Sequence, residues 1–161
     1  MDIRKKGFTT IELLISITVF GLLSALVINS LFPVKNKISL DTTISLLTTD
    51  LKSQQLKAMT GNTEGRVSHD AYGVYFQQDR YTLFHGLSYN DSDPSNYTVA
   101  LDNGVEFSLI NFPGEQIVFS PVSGEFNGYD PLKNTLTIQN KLGNEQRNLV
   151  INRYGVVTAV D

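Results

Sequence analysis

The sequence predicts an α+β protein in which one long N-terminal helix packs on an antiparallel β-sandwich. Three observations predict it. An apolar run extends from Phe8 to Phe32. An amphipathic helical pattern follows it as far as Thr60. The rest of the chain alternates apolar and polar residues in short runs separated by turn signals.

The apolar run has 25 residues, about 37 Å as a helix at about 1.5 Å per residue, which is long enough to span a bilayer. It is too long for the apolar core of a secretory signal, and Leu26-Val-Ile-Asn29 is a poor cleavage site. Arg4, Lys5 and Lys6 precede it. The positive-inside bias then predicts a single-pass protein of the cytoplasmic (inner) membrane, with a cytoplasmic amino end and an exported remainder. One carboxylate, Glu12, lies near the start of the run. A charge in such a segment is costly and implies a partner, and a plain signal anchor supplies none. Ser16, Thr18 and Ser24 can bond back to their own helix carbonyls, and Gly21 and Ala25 form a small-xxx-small pair.

Pro33 predicts a kink or break near residues 32–34. Beyond it Leu40, Ile44, Leu47, Leu51 and Ala58 fall on one helical face, and Gly61 is a C-terminal stop. The expected helix covers about residues 37–60 and continues the anchor. From Val67 the pattern is β. Tyr72–Gln77 and Tyr81–His85 flank a Gln78-Asp79-Arg80 turn, and Tyr97, Val99 and Leu101 alternate. Asp102-Asn103-Gly104 is a strong turn before Val105, Phe107 and Leu109. Ile117–Phe119, Leu136 with Ile138, Leu149–Asn152 and Val156–Val160 complete the strands, with a turn at Gly143-Asn144.

The 161-residue chain has no cysteine, which excludes disulfides and thiolate metal sites. Its formal net charge is −3, an acidic balance that argues against a general nucleic-acid ligand. Ser68-His69-Asp70 holds the residue types of a hydrolytic triad, but consecutive residues cannot converge. His85 reads as an edge or surface histidine. Asp91 and Asp93, with Asn90 and Asn96, offer oxygen ligands without the EF-hand pattern, so a solvated loop is expected and no metal or cofactor is assigned. Asn90 and Asn96 also begin glycosylation sequons.

Lys5-Lys6-Gly7-Phe8-Thr9-Thr10-Ile11-Glu12-Leu13-Leu14 resembles the class III signal of type IV pilins and type II secretion pseudopilins. The resemblance implies a prepilin peptidase cleaving between Gly7 and Phe8 and then N-methylating Phe8. It also implies a role in filament assembly for Glu12, one helical turn from the new amino group. A long helix followed by many short strands is similar to the GspH/FimT group of minor subunits. The series Ile117-Val-Phe-Ser-Pro121, Gly124, Leu136-Thr-Ile138, Leu149-Val-Ile151 and Tyr154-Gly-Val-Val157 looks like the later strands of that group. Major subunits often carry a proline within the membrane segment, where this chain has Val27-Ile-Asn-Ser30.

On this resemblance the chain divides into a cleaved leader (1–7), a transmembrane and filament-core helix (8–32), an amphipathic helix (33–61) and a β-domain (62–161). The expected function is a minor pilin or pseudopilin, a structural subunit rather than an enzyme. It would serve a type II secretion pseudopilus, and so protein secretion, or a type IV pilus. The implied partners are other pilin or pseudopilin subunits, the prepilin peptidase and an inner-membrane assembly platform. A DNA-binding minor pilin for natural transformation is the alternative, although only Arg147 and Arg153 supply basic charge in the C-terminal region.

Overall fold

The computed structural model describes residues 9–61 and 70–160, with side chains over 9–24, 40–61 and 70–160. The chain divides into two compact units, Met1–Lys35 and Asn36–Asp161. Helical backbone, α1, is assigned over Thr10–Thr60. Its described side chains fall in two short stretches of opposite character.

In the second stretch, residues 40–60, Leu40, Leu47, Leu51 and Ala58 form a fully buried stripe with Thr43 and Gln54. Asp41, Thr42, Ser45, Thr49 and Lys52 are exposed on the other side. One apolar stripe is what lets a helix pack on a sheet. Lys57 lies in the last turn, where a cation suits the helix dipole. Gly61 follows at φ 65°, a left-handed C-terminal cap that glycine adopts at no steric cost.

In the first stretch, residues 10–24, apolar side chains point to all sides and are exposed; Ile11, Leu14, Ile17 and Phe20 are 66%, 62%, 63% and 73% exposed. Two expectations are overturned here. The described residues do not form one long apolar helix packed on a sandwich, because the all-round apolar stretch has no single packing stripe and is left uncovered. Their described side chains fall in two short helical stretches, 10–24 and 40–60, and in eight strands in two sheets. Nor is any helix among the described residues long and apolar enough to cross a membrane. The expected transmembrane helix and single-pass inner-membrane placement are corrected accordingly.

The strands are all antiparallel. One sheet has the order β3-β2-β1-β5, from β1 (Tyr72–Gln77), β2 (Arg80–His85), β3 (Tyr97–Ala100) and β5 (Gln116–Phe119). The other has the order β4-β6-β7-β8, from β4 (Val105–Asn111), β6 (Thr135–Asn140), β7 (Glu145–Ile151) and β8 (Val157–Val160). Two boundaries differ from the sequence reading. Arg80 pairs with Gln77, so the first hairpin turns on Gln78-Asp79 alone. Strand β7 begins at Glu145 rather than near Leu149, because Asn144, at φ 51°, turns the chain straight into the Asn140–Glu145 pair.

The core joins both sheets and residues 40–58 in one cluster. Phe76 of β1 meets Phe107 of β4 edge-on at 5.5 Å between ring centroids, and Phe112 at 5.3 Å. With Thr43, Gln54 is one of the two polar members of the helix stripe. Its amide donates to the carbonyl oxygens of Gly73 (2.8 Å) and Phe84 (3.2 Å), so the helix is hydrogen-bonded to the first sheet as well as packed on it. Gly73 is required at its position. A Cβ there would lie 2.6 Å from the Phe84 ring and 2.7 Å from the Ile117 carbonyl oxygen.

Glu106 ties turns of the two sheets together. Lys141 lies 2.6 Å from its carboxylate, Gln78 donates at 2.8 Å, and Gln139 donates to the other oxygen. The Lys141 hydrogen bond, with help from both amides, holds the Glu106 carboxyl below its usual pKa and outweighs the opposing desolvation. A carboxyl depressed by folding stabilises the fold above its unfolded pKa, and that contribution disappears as pH falls through the folded value. Urea midpoints are therefore expected to drop as pH falls below the ordinary carboxylate range. Glu106→Gln should flatten that drop relative to the unsubstituted protein.

Candidate functional site

Gly7 and Phe8, the expected cleavage and methylation positions, lie outside the described residues. Glu12 lies inside them. Its Oε2 accepts from the Thr9 backbone N–H at 3.0 Å and from the Thr9 hydroxyl at 2.8 Å. In return the Thr9 hydroxyl oxygen accepts from the Glu12 N–H at 3.3 Å. This is a reciprocal capping box, Thr9-x-x-Glu12, in which side chains satisfy backbone donors that a helix start leaves unpaired. The sequence reading missed it, although a threonine three residues before a glutamate is its signature. In the single chain, then, Glu12 starts the helix.

Around Glu12 the surface is apolar. Ile11, Leu14, Ile15, Thr18 and Val19 line a shallow open groove. Ser16 and Thr18 donate to the Glu12 and Leu14 carbonyl oxygens at 2.7 and 2.8 Å. Their hydroxyls are thereby spent within the helix, and the face they occupy presents little unsatisfied polarity. Open space surrounds the position a Cβ would take at Gly21. The Ala25 side chain lies outside the described residues. Glu12 is the one charged residue in this stretch.

Other candidates have local roles. Ser68 and His69 lie outside the described residues. The His85 Nδ1 lies 2.9 Å from the Ser95 hydroxyl and 3.4 Å from Asp93. Asp93 also accepts from the Ser95 N–H and hydroxyl, Asn90 accepts from the Ser92 N–H, and Tyr89 donates to Asp91 at 2.8 Å. These oxygens build the 88–96 loop from its own side chains. Among the described residues no group of three or more His, Asp or Glu is placed to hold a metal. Arg153 pairs with Glu125 at 3.2 Å, and Arg147 donates to the Gln146 carbonyl oxygen. Both basic residues of the DNA-binding alternative thus have local partners.

A second feature was not read from the sequence. The 121–124 loop closes over the C-terminal end of α1, where the Val122 N–H donates to the Ala58 carbonyl oxygen at 3.0 Å and the Ser123 N–H to that of Pro121 at 2.8 Å. This tight turn holds Val122 at φ 69°. A left-handed backbone costs an L-residue about 1–2 kcal/mol, and β-branched side chains are rare there. Val122 is nevertheless 72% exposed, so its side chain recovers little by burial. Gln55 donates to the carbonyl oxygens of Gly124 and Tyr154, both at 2.7 Å, and so clamps this loop and the β7–β8 turn to the helix. Nothing in the local sequence signals a left-handed valine.

No family model matches this chain, and neither a curated protein nor a solved structure matches it.

Proposed function

We propose that the chain is a minor pilin or pseudopilin, a structural filament subunit cleaved between Gly7 and Phe8 and assembled through the segment that begins there. The observation that carries this reading is the placement of Glu12. It is the one charge in a helical stretch that is apolar on all sides and exposed in the single chain. So much uncovered apolar surface on a helix is a surface for partners, and the class III-like signal directly precedes it. Cleavage creates an ammonium or methylammonium group at Phe8. Within a filament, Glu12 of one copy pairs with that group on its neighbour, and the pair sets the register of contacts that are otherwise nonspecific.

The proposed partners are other subunits of the same superfamily, the prepilin peptidase and an assembly machine that other proteins supply. The β-domain forms the filament surface. The test is to express a tagged full chain in a host whose own copy is deleted and to fractionate sheared filaments. The tag is expected in the filament fraction only when the processing peptidase is active. Recovery there without the peptidase contradicts the reading. Scoring the deletion strain for secretion, twitching and transformation then assigns the machine.

A further inference from the structure

We propose that the cavity between the helical stretch 40–60 and the first sheet binds one neutral sugar ring, a pyranoside with free hydroxyls. This site is independent of the filament reading and requires neither cleavage nor assembly. The cavity has a volume of about 170 Å3. Its polar and aromatic lining comes from Gln54 and Lys57 of the helix, Tyr72 of β1, His85 of β2, Tyr97 of β3 and Ser95 just before β3. A cavity of about 150 Å3 already accepts one six-membered ring. Gln54 and Tyr72 are 2% and 1% exposed, so this part of the wall is fixed by the core, whereas Tyr97 is 66% exposed.

The bonds that the polar groups already make define what they offer a ligand. The Gln54 amide nitrogen donates to the Gly73 and Phe84 carbonyl oxygens, which spends both of its hydrogens. Its Oε1 has no hydrogen-bond partner among the described residues, and it is not sealed off as the orphan oxygens of Asn96 and Glu145 are. A nearly buried amide oxygen beside a cavity requires an O–H or N–H donor. The Ser95 hydroxyl donates to Asp93 at 2.7 Å and lies 2.9 Å from the His85 Nδ1, which leaves Nε2 as the ring nitrogen for a ligand. The Lys57 amine stands over the Tyr72 ring at 5.5 Å and can only donate.

That combination selects the ligand. An anion would meet the Gln54 oxygen and the Asp93 carboxylate that pairs with His85 at 3.4 Å. A cation would meet Lys57. A metal ion would lack ligands, since no three metal-binding side chains gather among the described residues. A wholly apolar ring would strip water from the Gln54 oxygen without replacing its bond. A hydroxylated ring meets every demand: its hydroxyls donate to Gln54 and accept from Lys57, and its C–H face packs on tyrosine rings, whose faces are electron-rich. The volume admits one ring, so affinity in the millimolar range is expected.

Saturation-transfer NMR tests this on the full chain, in a detergent whose headgroup is not a sugar. The probes are the methyl pyranosides of glucose, galactose, mannose and N-acetylglucosamine. At least one is expected to receive several-fold more saturation from the protein than glycerol, acetate or methylguanidinium at the same concentration. If no pyranoside exceeds glycerol, or if acetate or methylguanidinium matches the best of them, the proposal is overturned.

Two variants place the signal in the cavity. Tyr97→Ala and Lys57→Met are each expected to remove most of the saturation transfer while urea denaturation still reports a folded domain. Leu132→Ala, at an exposed position outside the cavity, is expected to leave the transfer unchanged. Should Lys57→Met fail to fold, Tyr97→Ala decides alone, because it alters an exposed side chain on an edge strand. Transfer that survives Tyr97→Ala at full strength overturns the proposal, as does a loss of equal size in Leu132→Ala.

Discussion

Glu12→Ala is expected to remove the chain from filaments while its β-domain unfolds at an unchanged urea concentration. Two effects of Glu12 have to be separated. In the single chain its carboxylate closes the capping box with Thr9, and its removal weakens the start of the helix. That loss falls on an exposed stretch outside the core, so the global unfolding midpoint does not register it. On the proposed filament reading the same carboxylate sits among apolar helices and faces a cation on the neighbouring copy. Breaking a buried ion pair by removing one partner costs about 3–5 kcal/mol, because the remaining charge is left desolvated. At every subunit contact that is enough to stop growth. Glu12→Gln discriminates between the roles. Glutamine can still close a capping box, but it carries no charge. We expect Glu12→Gln to fail in assembly nearly as completely as Glu12→Ala. Normal incorporation of Glu12→Gln would reduce Glu12 to a helix cap.

The largest expected effect on stability is that of Phe76→Ala. Phe76 is fully buried and meets Phe107 and Phe112 at ring-centroid distances of 5.5 and 5.3 Å. The Phe107 contact runs from β1 of one sheet to β4 of the other. Truncation removes apolar area from the seam between the sheets and leaves a cavity among rigid rings. Phe→Ala in a core costs about 3–5 kcal/mol, a large share of the roughly 5–15 kcal/mol that holds a domain folded. Urea denaturation should show the midpoint collapsing with little change in slope. A shift corresponding to less than about 1 kcal/mol would mean that the sheets do not depend on this contact.

The β-domain was largely legible because its signals are local. Alternation in Val105, Phe107 and Leu109 marks a strand whatever lies opposite it, and Asp102-Asn103-Gly104 and Gly143-Asn144 mark turns through their own backbone preferences. Strand order and the Gln54 bridge to Gly73 and Phe84 were not legible, since they depend on residues far apart in the chain. The apolar run was legible as composition but misjudged as structure. Its length suggested one membrane-spanning helix continuous with a packed one, whereas the described side chains form a short exposed stretch and a separate stretch with a single packing stripe. At the candidate site, Glu12 stands out in the sequence as a charge in an apolar run, whereas its bond to Thr9 is signalled only by the short Thr9-x-x-Glu12 spacing. Val122 left no trace in the sequence, for its conformation is imposed by the loop that closes on Ala58.

The central claim is that proteolysis creates the cation for which Glu12 waits. Intact-mass and N-terminal peptide mass spectrometry of the chain purified from its native host tests this directly. The account predicts a polypeptide that begins at Phe8 and carries one additional methyl group on its amino nitrogen. A chain that still begins at Met1, in cells whose prepilin peptidase is active, would contradict it.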